Sequence, residues 1–210
     1  EKAANYNEIE KLFSLIPEDD LNDDLLNKYI TAKLINGDYK SICRLDSQIS
    51  EGKFKLEINS FCKAMSNNLP ALDLMISLLI EEDIADKDIL YIYYSYINQT
   101  EIDLKRIKNL DIKKINLISN LDIDFSKYID ENSPLELQLF FIYSKLKAED
   151  KKIVLAENLL STSTLESSIL GDLYKQYFTG SNLNISVDYL NMDSSMKKRV
   201  GIYNLIRSTS

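Results

Sequence analysis

Apolar residues recur along this chain at helical spacing, and short polar breaks interrupt them in pairs. Residues 28–49 read KYITAKLINGDYKSICRLDSQI, and residues 57–79 read EINSFCKAMSNNLPALDLMISLL. Each segment is an apolar stripe, a polar break and a second stripe, the pattern of two helices joined by a tight turn. Such a hairpin cannot bury its apolar flank alone. It must stack on a neighbour, and a row of stacked hairpins is a solenoid. The pattern predicts an all-α fold, an α-solenoid of stacked antiparallel helical hairpins with irregular repeats.

A short helix is expected over 7–16, stopped by Pro17. Asp19 and Asp20 offer an N-cap for a helix over 21–35. Asn36-Gly37-Asp38 ends that helix, because Gly tolerates the left-handed conformation and Asp caps the next helix, 39–49. After a turn at Gly52, Phe54, Ile58, Phe61, Cys62 and Met65 share one helical face. Asn67-Asn68-Leu69-Pro70 breaks that helix, with Pro70 placed to start another. The segment 71–81 is apolar nearly all round and is expected to be deeply buried. Residues 86–98 contain LYIYYSYI, strand-like on propensity; the Asp86 cap, the length and the helical company favour a helix. Residues 99–132 hold short helical pieces at 104–109, 113–119 and 125–130, read as shortened repeats or a junction. Beyond Ser133-Pro134, Leu135, Leu139, Ile142, Tyr143 and Leu146 follow one face. Helices are then expected over 149–160, 164–178 and 192–206, with a polar connection at 180–187. The division is N-terminal hairpins over 1–98, a junction over 99–132 and C-terminal hairpins over 133–210, or one continuous solenoid.

Composition narrows the function classes. Five glycines and three prolines in 210 residues disfavour a turn-rich β architecture. No apolar run approaches the ~20 residues that span a membrane. The net charge of −8 argues against nucleic acid as a partner, since an acidic chain repels phosphates. That charge is uneven: residues 1–24 carry eight acids against two lysines, while 104–114 and 196–207 are locally basic. Histidine is absent, which removes Ser–His–Asp and Cys–His catalysis and histidine-ligated zinc. The chain shows no signal peptide and opens at Glu1 without a Met, as expected of a mature product or an excised piece whose targeting segment lies upstream.

Cys43 and Cys62 lie nine and ten residues from a turn centred near Gly52. In an antiparallel hairpin that places them at about the same height. Two readings follow: a disulfide, implying an oxidising compartment such as the periplasm or cell envelope, or two buried thiols of a cytoplasmic protein. Tyr91, Tyr93, Tyr94 and Tyr96 are candidates for a concave surface that binds peptide or glycan. The alternative is core packing with hydroxyls reaching polar partners at the rim. Asp122, Asp124 and Ser126 match the start of an EF-hand loop, but Lys127 stands where the loop needs Gly and Ser133 where it needs Glu, so calcium is not expected. The run 161–164 reads as an N-cap for Leu165 onward. The acids at 81–83 oppose the helix dipole unless solvated. No catalytic, cofactor-binding or metal-binding residue is singled out.

LINGDYKSI resembles the helix-turn-helix signature of tetratricopeptide-like repeats. More of the chain is similar to an uncharacterised alphaproteobacterial family of large helical-repeat proteins, through LINGDYKSICRL, FCKAMSNNLPALDLMISLLIEE and, more loosely, RVGIYNLI. In that family a Cys follows the Gly-Asp turn and a Phe-Cys pair opens the next unit, matching Cys43 and Phe61-Cys62. The resemblance implies the fold, brings no activity and hints at the cell envelope. The expectation is a non-enzymatic scaffold or protein-interaction domain with a protein or peptide partner and no cofactor. The alternatives are a superhelical accessory region of a cell-envelope enzyme, acting on cell-wall glycan for example, whose catalytic domain lies elsewhere, and an intact enzyme using only Asp, Glu, Lys or Tyr. A deep pocket holding carboxylates or a lysine with shifted pKa would favour the last.

Overall fold

A computed structural model describes residues 13, 15–16, 22–45, 49, 52–84, 86–180 and 195–208, without the side chains of 178–180, 195 and 208. Among these residues every regular element is helical and there is no strand. The α-helices are α1 (Asp23–Ile35), α2 (Tyr39–Ile42), α3 (Lys53–Met65), α4 (Leu69–Glu81), α5 (Lys87–Asn98), α6 (Ile112–Asn120), α7 (Leu135–Tyr143), α8 (Glu149–Ser161), α9 (Ser167–Gly180) and α10 (Ser195–Ser208). Short 3₁₀ turns occupy Leu104–Arg106 and Ser126–Tyr128. The all-α expectation therefore holds, and LYIYYSYI is helical.

One turn chemistry punctuates the chain. Gly37, Asn67, Asp83, Gln99 and Ser163 each follow a helix in the left-handed conformation. The next residue's N–H then reaches back to the carbonyl five residues earlier: Asp38 to Lys33, Asn68 to Lys63, Ile84 to Leu79, Thr100 to Ser95 and Thr164 to Leu159. This is the Schellman closure, which satisfies carbonyls that the helix end leaves unpaired. At two of these sites the same residue also opens the following helix. Asp38 accepts from the Ser41 N–H and caps α2; Asn68 accepts from the Ala71 N–H and caps α4. The Gly-Asp and Asn-Asn dipeptides thus perform one task, stopping a helix and restarting it within two residues.

The helices fall into two compact units. In the larger, which holds α1 to α7, α3 packs along α4, α4 meets α5, and α2 meets both α1 and α3. The centre is α6, which touches α1, α3, α5 and α7. Its buried run Ile112, Lys114, Ile115, Asn116, Leu117 and Ile118 is too continuous for a surface stripe. The region read as a junction therefore contributes the inner helix of this unit. Asn116 is buried because its amide donates to the carbonyls of Leu34 at 3.1 Å and Ile112 at 2.8 Å, the first lying in the last turn of α1. The smaller unit holds α8, α9 and α10 with Asp130–Asn132; α9 packs against both other helices. The chain passes between the units around Asp130–Asn132 and again after Ser144.

Several expected elements differ. The helix over 7–16 and the caps Asp19 and Asp20 lie outside the described residues, as does most of 180–187; Asn22 caps α1 by accepting from the Leu25 N–H. The helix expected over 39–49 closes at Ile42, with Cys43 as its C-cap. In α7, Leu137 to Ile142 are all buried while Tyr143 is exposed, so neighbours enclose this helix where a single face was expected. Thr162 ends α8, its hydroxyl donating to the Leu159 carbonyl, and α9 begins only at Ser167. The run 161–164 is thus a C-terminal closure and not an N-cap. The acids Glu81, Glu82 and Asp83 are exposed, as their position at a helix C-terminus demands.

Candidate functional site

The cysteines come together first. Cys43 and Cys62 form a disulfide with their Cα atoms 5.6 Å apart. The pairing does not join two long antiparallel helices. It ties the C-cap of the one-turn helix α2 to the last turn of α3. Both cysteines are half-buried, and both line a groove of about 470 Å³. Its walls follow helical spacing: Tyr39, Lys40, Cys43 and Arg44 on one side, Asn59, Cys62, Lys63 and Ser66 on the other. Sequence reasoning missed the groove, although i, i+3, i+4 neighbours of each cysteine were its signal.

A second cavity, about 130 Å³, is also in the larger unit and is lined among others by Glu57, Asp86, Tyr93, Asp111, Lys113 and Lys114. The Lys114 side chain is only 3% exposed. Its Nζ lies 2.7 Å from Asp86, 3.3 Å from Asp111 and 4.0 Å from Asp88, and donates to the Asn109 carbonyl at 2.8 Å. Asp86 and Asp111 are the N-caps of α5 and α6, so two helix N-termini converge on one ammonium. Burial disfavours the charged lysine, but the Asp86 hydrogen bond and the Asp111 charge outweigh it and hold Lys114 above the usual lysine range. Burial likewise raises Asp86, yet hydrogen bonds from Lys114 and the Ile89 N–H bring its carboxyl below the usual range. Tyr93 is pushed far up, chiefly by burial. Lys114 thus stays an ammonium and Asp86 a carboxylate around neutrality, and their ion pair ties the N-termini of α5 and α6 together.

The four tyrosines do not share a surface. Tyr93 and Tyr96 are buried, Tyr91 is half-buried and Tyr94 is exposed. The Tyr96 hydroxyl donates to the Leu117 carbonyl at 2.6 Å, tying α5 to α6, and burial pushes it up to about 12. The Tyr91 hydroxyl accepts from the Asp103 N–H at 2.8 Å, and the Arg106 guanidinium sits 4.4 Å from its ring centroid. The group is a packing device with polar ends. Asp124 accepts from the Ser126 N–H in a turn. Among the described residues no three His, Cys, Asp or Glu side chains could hold a metal ion.

In the smaller unit, Glu157 receives Arg199 through two hydrogen bonds, Nε to Oε1 at 2.7 Å and Nη2 to Oε2 at 2.5 Å. The Tyr174 hydroxyl donates to Oε1 at 2.5 Å. Burial raises Glu157, but Arg199 and Tyr174 hold it below the usual carboxylate range, while burial and Glu157 push Tyr174 up to about 12. The triad fastens α10 to α8 and α9. Tyr203 meets Tyr174 edge-on, and it lies against Gly171, where a Cβ would fall 2.5 Å from its hydroxyl oxygen.

One exposed apolar surface is on α4. Leu72, Ile76 and Leu79 are buried, but Leu74 is 59% exposed and Ile80 is 51% exposed. The expectation of deep burial therefore fails for half of this helix. Ala71, Met75 and Leu78 are half-buried. With Leu74 they stand at i, i+3, i+4 and i+7, a second apolar seam beside the first. No protein-family model, curated protein or solved structure matches the chain.

Proposed function

We propose that this chain is a non-enzymatic helical-repeat domain that binds another protein through α4. The observation that carries the reading is the seam Ala71, Leu74, Met75 and Leu78, which leaves Leu74 mostly in water. A helix with two apolar stripes has one for its own core and one for a partner. The i, i+3, i+4, i+7 spacing suits an incoming amphipathic helix, whose ridges fit such a row. Covering the 59% of Leu74 that is exposed is worth about 1–2 kcal/mol, and the half-buried Ala71, Met75 and Leu78 add smaller amounts to the anchor. The repeated stop-and-restart turns support the stacked-hairpin and tetratricopeptide-like comparison, and the likeness to the alphaproteobacterial family rests on the sequence segments above.

A photo-crosslinker placed at Leu74 tests this directly. A defined protein adduct is expected, lost when Leu78→Glu charges the seam while the circular dichroism spectrum is kept. No adduct, or an adduct indifferent to Leu78→Glu, refutes the reading. A second reading, an accessory region of a larger cell-envelope enzyme, draws on the disulfide, because such bonds persist in oxidising compartments. Alkylation trapping in intact cells checks it: free thiols at Cys43 and Cys62 would remove its basis.

A further inference from the structure

We propose that the groove between α2 and α3 is a thiol–disulfide exchange site for small anionic thiols, with the Cys43–Cys62 bond as the electrophile and Lys40, Arg44 and Lys63 as the charge that draws them in. Three observations on the same groove carry the inference. Both cysteines line it, and both are half-buried, not enclosed. Lys40, Arg44 and Lys63 also line it, and none of their three side chains has an ion pair or hydrogen bond among the described residues. The groove's volume of about 470 Å³ accommodates a thiol carrying carboxylate or sulfonate groups. Three cations around one pocket are unexpected in a chain with a net charge of −8. Among the described residues the lining holds no acid to neutralise them; the others there, besides the cysteines, are Tyr39, Asn59 and Ser66.

The chemistry is balanced with the thiol as reductant. An incoming thiolate attacks Sγ of Cys43 or Cys62, a new S–S bond forms, and the old bond's electron pair leaves on the other cysteine as a thiolate. A second thiolate attacks the incoming group's own sulfur, releasing the small disulfide and leaving both cysteines reduced. The cations assist twice. They concentrate the anionic attacker, and they stabilise the departing cysteine thiolate, which speeds its release. The product loses the disulfide cross-link between the C-cap of the one-turn helix α2 and the last turn of α3, so modification of this site loosens that corner of the fold.

The test compares reduction rates of the intact chain by 2-mercaptoethanesulfonate, 2-mercaptoethanol and cysteamine, each corrected for its thiolate fraction. The sign of the trend decides. A bare surface on a protein of charge −8 favours the cationic thiol, whereas the groove favours the anionic one. The expected order is sulfonate, then neutral, then cationic, with about fivefold per step of charge at physiological salt. Raising the salt to 1 M should collapse the order. The triple variant Lys40→Gln/Arg44→Gln/Lys63→Gln should invert it, and circular dichroism checks that this variant is folded. Equal rates, a faster cationic thiol, or an unchanged order at 1 M salt in the natural chain would overturn the proposal without any variant. None of these outcomes touches the α4 seam, so the two proposals stand or fall separately.

Discussion

Removing the disulfide, by Cys43→Ala with Cys62→Ala, perturbs the fold at a point where the magnitude can be worked out. The bridge closes a loop of sequence separation 19. In the chain-entropy treatment such a loop removes roughly 11 cal/mol/K from the unfolded ensemble, or about 3 kcal/mol at room temperature. Local packing gives α2 little to fall back on, since it is four residues long and buries only Ile42. A one-turn helix has no stability of its own, because nucleation costs more than a single turn returns. Loss of the bridge should therefore lower the unfolding temperature of the larger unit by about 10 °C. Urea titration followed by circular dichroism, on the oxidised chain, the reduced chain and the double variant, separates the contributions. Reduced chain and variant should agree closely, and both should lie well below the oxidised chain. A difference under about 0.5 kcal/mol between oxidised and reduced chains would refute the loop-entropy reasoning.

Gly171→Ala should destabilise the smaller unit by about 1–3 kcal/mol, because its Cβ would meet the Tyr203 hydroxyl at 2.5 Å and the ring carbon behind it at 3.2 Å. Tyr203→Phe in the same chain should recover much of that loss in a thermal melt, and a failure to recover would place the strain elsewhere. Stability should also fall in acid. Asp38, Asp86 and Glu157 all have folded pKa values below their ordinary ones, so their contribution is full above about pH 4.5 and is lost as pH drops through the folded values. Asp86→Asn with Glu157→Gln should flatten the acid limb of a pH–stability curve while Asn still caps α5, and an unchanged limb would show that other groups dominate. At the alkaline end the sign reverses: Lys114, raised above its ordinary value, contributes fully below about pH 10.5 and loses that contribution only as pH climbs through its folded pKa.

Local chemistry was legible where one residue type solves one backbone problem. Asn36-Gly37-Asp38 and Asn67-Asn68 announced helix ends because few residues accept a left-handed angle and fewer restart a helix immediately afterwards. Asp86 announced α5 for the same reason. The nearness of Cys43 to Cys62 was legible as a possibility, since equal distances from a turn suggest equal height. The premise was imperfect: α2 stops at Ile42, and no long helix opposes α3 there. The groove cations went unread because no local pattern in the sequence sets Lys40, Arg44 and Lys63 apart. Only their convergence from two helices distinguishes them.

The Lys114 cluster marks the same boundary. A lysine at the third position of a helix opposes the positive end of the dipole, a local conflict visible in the residues alone. Its resolution comes from Asp86, which is 28 residues away in sequence and 2.7 Å away in space. Similarly, Tyr93 and Tyr96 are buried while Tyr94 is exposed, a split that follows from where α6 lies and not from the tyrosines' own pattern.

Helical period, caps and turns act over a few residues, so the amino-acid order alone decided that this chain is helical and nearly where its helices pause. Burial depends on which elements come to lie beside one another. Only tertiary structure decided that the ragged 99–132 stretch supplies an inner helix, that α4 keeps an apolar seam in water, and that three cations ring a disulfide. The physical reason is range. Backbone preferences are settled by near neighbours, whereas the surroundings of a side chain are assembled from residues far apart along the chain.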